Sequence, residues 1–451
     1  MLSDKNQFQP IIFLYFILSL ICFANADVLI SADNPLINYY GRFDFSSTGS
    51  AKFNWSGSTI EAAFSGTSIG IELSDGNADY IAEIDGKYYS TIKTVSGTVK
   101  YNISSTLSDA AHTIRIVQKS EQHWNTAEFK GFYLENGKLL SDPPQKPAKK
   151  IEFIGDSFTA GYGNESPSGN CSSDQLRTYT NTNMSFGKLV SDAFHAQCIA
   201  LGWSGAGIVR NYGDSKKKSD DPYPVYYKNT LGAIDGNWDF SKFIPDLVVI
   251  CLGTNDFSTT PHPDDTMYSN GYHSLISTVR SNYSSAPILC VSTHTGPMDN
   301  ILKKIVSDQK TVYNHDLVYY AEFPQTLAYS GCHGHPSLSD DTLIAESLVN
   351  SIRTSAGWDT ALITFAKHNK QIIAKQCGFS TLFVNSGILI GIEGSANQAE
   401  FSITDLRGNL IHENVINGKQ PYLWNTSGIS SGIYLISNRG SGFTKSVIVK
   451  R

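Results

Sequence analysis

The chain has no basic footprint. Across 451 residues, 35 lysines and arginines face 41 aspartates and glutamates, a net charge of −6. That balance argues against a nucleic-acid partner. The cluster Lys216-Lys217-Lys218 is short and reads as a solvated loop. Long apolar runs are scarce too. Residues 11–23 form an apolar run that is shorter than the roughly 20 residues a membrane span needs. The run follows Lys5 and precedes Ala24-Asn25-Ala26, a small-residue cleavage pattern, so residues 1–26 read as a signal peptide. Cys22 has Leu20 and Ile21 before it rather than a small residue, which argues against acylation. Six cysteines remain after Cys22, and their spacing gives no zinc pattern. Charged residues make up only 17% and hydrophobic ones 41%, which suits folded, soluble material. A chain this long is expected to hold about three domains.

What is present falls into blocks. Residues 27–142 carry short β-like runs, among them Thr59 to Phe64, Ser68 to Leu73, Tyr80 to Ile84, His112 to Val117 and Ala127 to Leu134. Gly, Asn, Asp and Ser separate them, which predicts a β-sandwich or jelly roll. Asp75-Gly76-Asn77 and Asp85-Gly86-Lys87 read as hairpin turns. Such a domain either binds sugars or serves as a scaffold, and fold alone does not choose. Pro143-Pro144-Gln145-Lys146-Pro147 is a stiff connector. Residues 150–356 alternate strand-like runs (151–154, 198–201, 247–251, 288–291, 317–320) with helical periodicities, including Leu343, Ile344, Leu348 and Ile352. That alternation predicts a parallel sheet covered on both faces, a three-layer α/β/α sandwich. From 379 to 451 the pattern is β again, a small β-sandwich.

The stretch most loaded with chemistry is Ile151-Glu152-Phe153-Ile154-Gly155-Asp156-Ser157. An apolar strand ending at Gly155 would leave Ser157 on the turn at the carboxyl end of the sheet, where open α/β folds bind ligands. A serine there can act as a nucleophile if a base lies beside it. Helix capping by Asp156 or Ser157 is the plainer reading of the same residues. Two further serine motifs, Gly66-Thr67-Ser68-Ile69-Gly70 and Gly428-Ile429-Ser430-Ser431-Gly432, lack a following helix and read as chance matches.

Gly155-Asp156-Ser157 resembles the first block of the SGNH (GDSL) hydrolases. The other blocks follow in order: Trp203-Ser204-Gly205-Ala206-Gly207, Leu252-Gly253-Thr254-Asn255-Asp256, and Gly331-Cys332-His333-Gly334-His335-Pro336. The resemblance implies Ser157 as nucleophile and His335 as its base. It also implies an oxyanion hole made of the N–H groups of Ser157 and Gly205 and the amide of Asn255. No metal and no organic cofactor is implied. The family usually carries an aspartate two or three residues before the histidine, but here those positions hold His333 and Cys332. A main-chain carbonyl such as that of Gly334 could orient the ring instead, with Asp340 or Asp341 as weaker candidates. Cys171 and Cys332 flank loops that converge on such a site. They are either a disulfide or two unpaired thiols, whereas Cys251 and Cys290 read as buried thiols.

The order of signal peptide, β-sandwich and SGNH domain is similar to carbohydrate esterase family two. This implies a secreted deacetylase of acetylated plant cell-wall polysaccharide or oligosaccharide, with a lipid or general acyl esterase and a non-catalytic sugar-binding protein as alternatives. Trp203, Tyr212, Tyr226 and Tyr227 are candidates for stacking on sugar rings. The tail, with Phe401 to Gly408, Gly428 to Leu435 and a basic end from Lys445 to Arg451, resembles the C-terminal sorting domains of type IX secretion substrates. That implies secretion machinery as a partner, an extracellular or cell-surface location and no membrane contact after signal removal. N-terminal sequencing of the exported protein should therefore read from Asp27. Extracellular protein that retains residues 1–26 would contradict the cleavage reading.

Overall fold

The computed structural model describes residues 27–359 and, beyond them, 378–384, 387–393, 398–405, 409–417, 422–430, 432–438 and 444–449. Residues 1–26, read above as a signal peptide, the connector over 360–377 with Cys377, and residues 406–408 lie outside the described residues. Among the described residues no helix is long and apolar enough to cross a membrane.

The N-terminal strands form two antiparallel sheets. One runs in the order Val28–Ser31, Ala127–Leu134, Ile69–Ser74, Thr98–Ser104, with Ala51–Phe53 also paired to Ala127–Leu134. The other runs Leu140–Ser141, Thr59–Gly66, Ala110–Gln118, Asp79–Ile84, Lys87–Lys93, with Ile37–Tyr40 on Thr59–Gly66. Period-two burial builds the core between them: along Thr59–Gly66, Ile60, Ala62 and Phe64 point inward while Glu61, Ala63 and Ser65 are partly exposed. Phe53, Tyr80, Phe129 and Phe132 fill the space against them.

Asp85 and Gly86, with φ of 53° and 69°, make the tight turn expected between Asp79–Ile84 and Lys87–Lys93. Asp75-Gly76-Asn77 is not a hairpin. It carries the chain from one sheet to the other, because Asp75 turns inward. Its carboxylate accepts from the N–H groups of Gly76 and Asn77, from Tyr80 Oη and from Gln122 Nε2.

The central sheet has five parallel strands, β1 (Lys149–Gly155), β2 (Ala196–Gly202), β3 (Leu247–Cys251), β4 (Ile288–Ser292) and β5 (Val318–Glu322), in the order β2-β1-β3-β4-β5. Every residue of β3 and β4 is buried, as strands covered on both faces require. Helices Phe186–Ala193 and Leu338–Ala356 cover one face, and Asp265–Asn282 and Met298–Thr311 the other. In Leu338–Ala356 the buried ridge is Ile344, Leu348 and Ile352 with Ala345 and Val349; Leu343 faces solvent. The strand order reverses beside β1, the switch point at which this topology opens a crevice. Tail strands form sheets of three and four strands around Ile390, Phe401, Ile403 and Trp424.

One buried ion pair ties the sandwich to β1, the strand that leads to Ser157. Arg42 Nη2 lies 3.0 Å from Glu152 Oε1 of β1, and both side chains are essentially without solvent contact. The guanidinium sits among the rings of Trp55, Tyr227, Trp238 and Phe240 and donates to the carbonyls of Tyr227 and Asn229. Removing one partner of such a pair strands the other charge in the interior. Arg42→Ala should therefore cost about 3–5 kcal/mol in urea unfolding. Lys216→Ala, which breaks the exposed pair with Asp220, should leave the unfolding midpoint essentially unchanged. Equal costs would contradict this account of the interface.

Candidate active site

Strand β1 ends at Gly155, where a Cβ would fall 2.0 Å from Thr159 Oγ1, so only glycine permits the turn that follows. Asp156 caps the short helix Ser157–Ala160, accepting from Phe158 N at 3.1 Å. The capping read from the sequence thus falls to Asp156, and the Ser157 hydroxyl is left for other contacts. It meets His335: Ser157 Oγ lies 2.8 Å from His335 Nε2.

The other ring nitrogen, His335 Nδ1, is 3.0 Å from the carbonyl oxygen of Cys332. The carbonyl is that of Cys332, not of Gly334. His333 and Gly334 both have positive φ, 53° and 76°, and curl the chain so that this oxygen faces back onto the ring. Neither aspartate downstream reaches it. Asp340 accepts from Ser337, Ala328 and Tyr329, and Asp341 from Asn164 and Phe186. The His335 ring rests on Tyr162 (centroids 4.3 Å apart) and meets the edge contact of Phe158 at 5.3 Å. Burial lowers its pKa below the ordinary histidine value, against the pull of the Cys332 carbonyl. At neutral pH the ring is therefore an uncharged base with Nε2 turned to the serine.

Cys332 is fixed by a disulfide to Cys171, which settles the alternative left open by the sequence. Cys251 and Cys290 are buried free thiols. Gly163 is pressed against the bridge, since a Cβ there would lie 2.2 Å from Cys332 Cβ. His333 fastens the same loops, with Nδ1 on Tyr162 Oη and Nε2 on the Cys171 carbonyl, both at 3.0 Å.

The glycine and asparagine blocks approach the turn that carries Ser157: Trp203 N donates to the Gly155 carbonyl and Asn255 Nδ2 to Asp156 Oδ2. Among the described residues the backbone N–H groups of Ser157 and Gly205 donate to no protein acceptor. Gly205 has φ of +82° and nothing within 4 Å of a would-be Cβ, so open space lies before it. Asn255 Nδ2 points to the Ala206 carbonyl at 2.9 Å and to Asp156 Oδ2 at 3.2 Å. Reaching an oxyanion from there means giving up the longer contact. Asp256, which the sequence reading did not use, accepts the N–H groups of Ile208, Val209 and Arg210 and so anchors the loop behind Gly205. Burial pushes Asp256 up to about 6, against those three hydrogen bonds. Asp156 is pushed up to about 7, by burial first and then by the charges of Asp256 and Glu121.

A cleft of about 180 Å³ opens beside Gly205, lined by His123, Trp124, Ser204, Asn211, Asp221 and Tyr226 among others. Of the four aromatics picked from the sequence, Trp203, Tyr226 and Tyr227 are buried and only Tyr212 is exposed. The exposed ring on the cleft is Trp124, with 63% of its surface open, and it comes from the β-sandwich. No motif near the hydrolase blocks pointed to it. One group among the described residues has the composition of a metal site: His294, Asp299 and Glu322. Both His294 nitrogens are already engaged at 2.7 Å, Nδ1 by Asp299 and Nε2 by the Phe323 carbonyl. Despite burial, those partners raise its pKa, and a ring that donates from both nitrogens has no lone pair for a metal.

If His335 is the base, activity requires its neutral form. Because its pKa is lowered, kcat/KM should hold its plateau below pH about 6.5 and fall only as the ring protonates on further acidification. The limb should survive Asp156→Asn, since Asp156 titrates separately. A limb at or above the ordinary histidine value, or one abolished by Asp156→Asn, would contradict the assignment.

Three family descriptions match the chain: Carbohydrate esterase 2 N-terminal over residues 39–144, GDSL-like Lipase/Acylhydrolase family over 153–336, and Secretion system C-terminal sorting domain over 384–450. The last marks the chain for export to the extracellular space or cell surface. The cellulase/esterase CelE of Acetivibrio thermocellus is 37% identical over 346 residues, 72% of this chain. The match spans only 40% of that relative's length. An acetylxylan esterase / glucomannan deacetylase of Cellvibrio japonicus is 33% identical over 318 residues, covering 68% of this chain and 86% of the relative. A family two carbohydrate esterase from Clostridium thermocellum, solved in complex with cellohexaose, is 34% identical. It superposes with a TM-score of 0.67, and the alignment covers 72% of this chain and all of that one. The chain belongs to family two of the carbohydrate esterases, GDSL-type hydrolases of carboxylic esters.

Proposed function

We propose that this protein is a secreted serine esterase that removes O-acetyl groups from plant cell-wall polysaccharides, on xylan, glucomannan or glucan chains. The observation that carries the reading is the 2.8 Å contact between Ser157 Oγ and His335 Nε2, with Nδ1 held by a carbonyl and two free N–H groups alongside. Ser157 attacks the acetyl carbonyl while His335 takes its proton. The N–H groups of Ser157 and Gly205 receive the oxyanion, joined by Asn255 once its amide leaves Asp156. His335 then returns the proton to the leaving sugar hydroxyl, and water repeats the sequence on the acetyl-serine. The Cys332 carbonyl keeps the Nδ1–H tautomer, the orienting task that an aspartate performs in a triad.

Relatives named for acetylxylan and glucomannan deacetylation, and one solved with cellohexaose, support a polysaccharide as substrate. The cleft supports it as well. Trp124 offers an open ring face for a sugar, and Asn211, Asp221 and Ser204 offer polar contacts. A lipid esterase would need a long apolar acyl channel, which a cleft of about 180 Å³ does not offer. The tail from about residue 379 would hand the chain to the secretion machinery.

Acetate release from acetylated xylan and glucomannan tests the reading. Ser157→Ala and His335→Ala should each lose roughly 10⁴-fold or more in kcat and should not add when combined. His333→Ala should be mild, within about tenfold, because a main-chain carbonyl survives side-chain removal. A fully active Ser157→Ala enzyme would overturn the assignment.

A further inference from the structure

The loop 119–126 of the β-sandwich joins strands Ala110–Gln118 and Ala127–Leu134 and reaches into the hydrolase site. Its Glu121 side chain is nearly buried, with 9% exposed. Oε1 accepts the Ser204 backbone N–H at 2.9 Å, and Oε2 accepts the Ser204 hydroxyl. His123 Nε2 lies 3.1 Å from Oε1. Ser204 immediately precedes Gly205, whose N–H donates to no protein acceptor among the described residues. Other bonds hold this turn: Trp203 N to the Gly155 carbonyl, Ala206 N to the Trp203 carbonyl, which closes a turn with Ser204 and Gly205 at its centre, Tyr212 N to the Gly205 carbonyl, and Asn255 Nδ2 to the Ala206 carbonyl. None of them engages a polar hydrogen of Ser204. Among the described residues, both of its polar hydrogens depend on Glu121.

We propose that Glu121 is a positioning residue of the esterase site, one that fixes the Ser204–Gly205 peptide so that the Gly205 N–H meets the oxyanion. The inference rests on the esterase reading and extends it to the β-sandwich. The sandwich then belongs to the catalytic machinery and is not a detachable scaffold. Physically, an oxyanion donor works only if its direction is fixed before charge develops, because reorganisation during the reaction consumes the gain. A glycine peptide has little steric restraint of its own. A carboxylate that grips the preceding residue at two points adds rigidity to the turn that the Trp203–Ala206 bond closes. His123 in turn holds the carboxylate: although burial opposes ionisation, the His123 charge and hydrogen bond and the two Ser204 bonds lower the Glu121 pKa. A charged acceptor makes the stronger hydrogen bonds.

The test is steady-state kinetics on 4-nitrophenyl acetate, which has no sugar, and on acetylated xylan. Glu121→Ala should lose about 10²-fold in kcat on both substrates with KM changed by less than about threefold, the signature of a lost transition-state contact. Ser204→Ala keeps the backbone bond and should lose less, about tenfold. Glu121→Gln keeps an acceptor oxygen and should recover most of the activity. A role in folding alone would move thermal stability without this ordering. The proposal is overturned by a folded Glu121→Ala enzyme with kcat within about threefold of wild type. Should that variant not fold, Ser204→Ala with unchanged kcat overturns it. Ser157→Ala separates the two claims: if it is active, the esterase reading fails. If it is inert while Glu121→Ala retains full kcat, only the role of Glu121 fails.

Discussion

The hydrogen bond from His335 Nδ1 to the Cys332 carbonyl is the constraint on which the site depends. Where a Ser-His-Asp triad places a carboxylate, this chain places a peptide oxygen. A peptide oxygen cannot be repositioned by a rotamer, so the chain that carries it must be held still. The Cys171–Cys332 disulfide, the tight contact at Gly163 and the His333 contacts to Tyr162 and Cys171 all do this. The backbone adds two bonds, Cys332 N to the Gly163 carbonyl and Gly331 N to the His335 carbonyl. A carbonyl stabilises a nascent imidazolium less than a full negative charge would. Burial also disfavours the imidazolium, which keeps the resting ring neutral and ready to accept a proton.

The blocks along the sequence hold one another in place. Asp256 binds three consecutive N–H groups behind Gly205, and Asn255 binds the Ala206 carbonyl, so the asparagine block anchors the glycine block. Asp156 both caps the helix that begins at Ser157 and receives Asn255. The sandwich contributes from its own side, through Arg42 on Glu152 of β1 and Glu121 on Ser204. Two domains that look separable in sequence thus share buried polar contacts at two separate places.

Much of this was legible from residue order. Period-two burial marked the sandwich strands, and continuous apolar runs marked the parallel sheet. Four short blocks picked out residues that the fold gathers around one serine. What was not legible has physical causes. Any residue can offer a carbonyl, so nothing in Gly331-Cys332-His333-Gly334-His335 says whose oxygen turns to the ring; two successive positive φ values decide it. Glu121, His123 and Trp124 lie in a β-patterned stretch with no catalytic motif, and only tertiary packing brings them to Gly205. Trp203 and Tyr226 carry the composition of a sugar platform, yet they are buried against Trp55 and each other. Asp75-Gly76-Asn77 has the composition of a hairpin, but the inward carboxylate of Asp75 makes it a crossing between sheets.

The most direct test of the central claim is covalent labelling with a phosphonate ester that reacts with activated serines, read by peptide mass spectrometry. The dyad as described predicts one adduct, on the peptide that carries Ser157. Labelling should be lost in His335→Ala and retained at near wild-type rate in His333→Ala. An adduct on another serine, or labelling of His335→Ala as fast as wild type, would contradict the account.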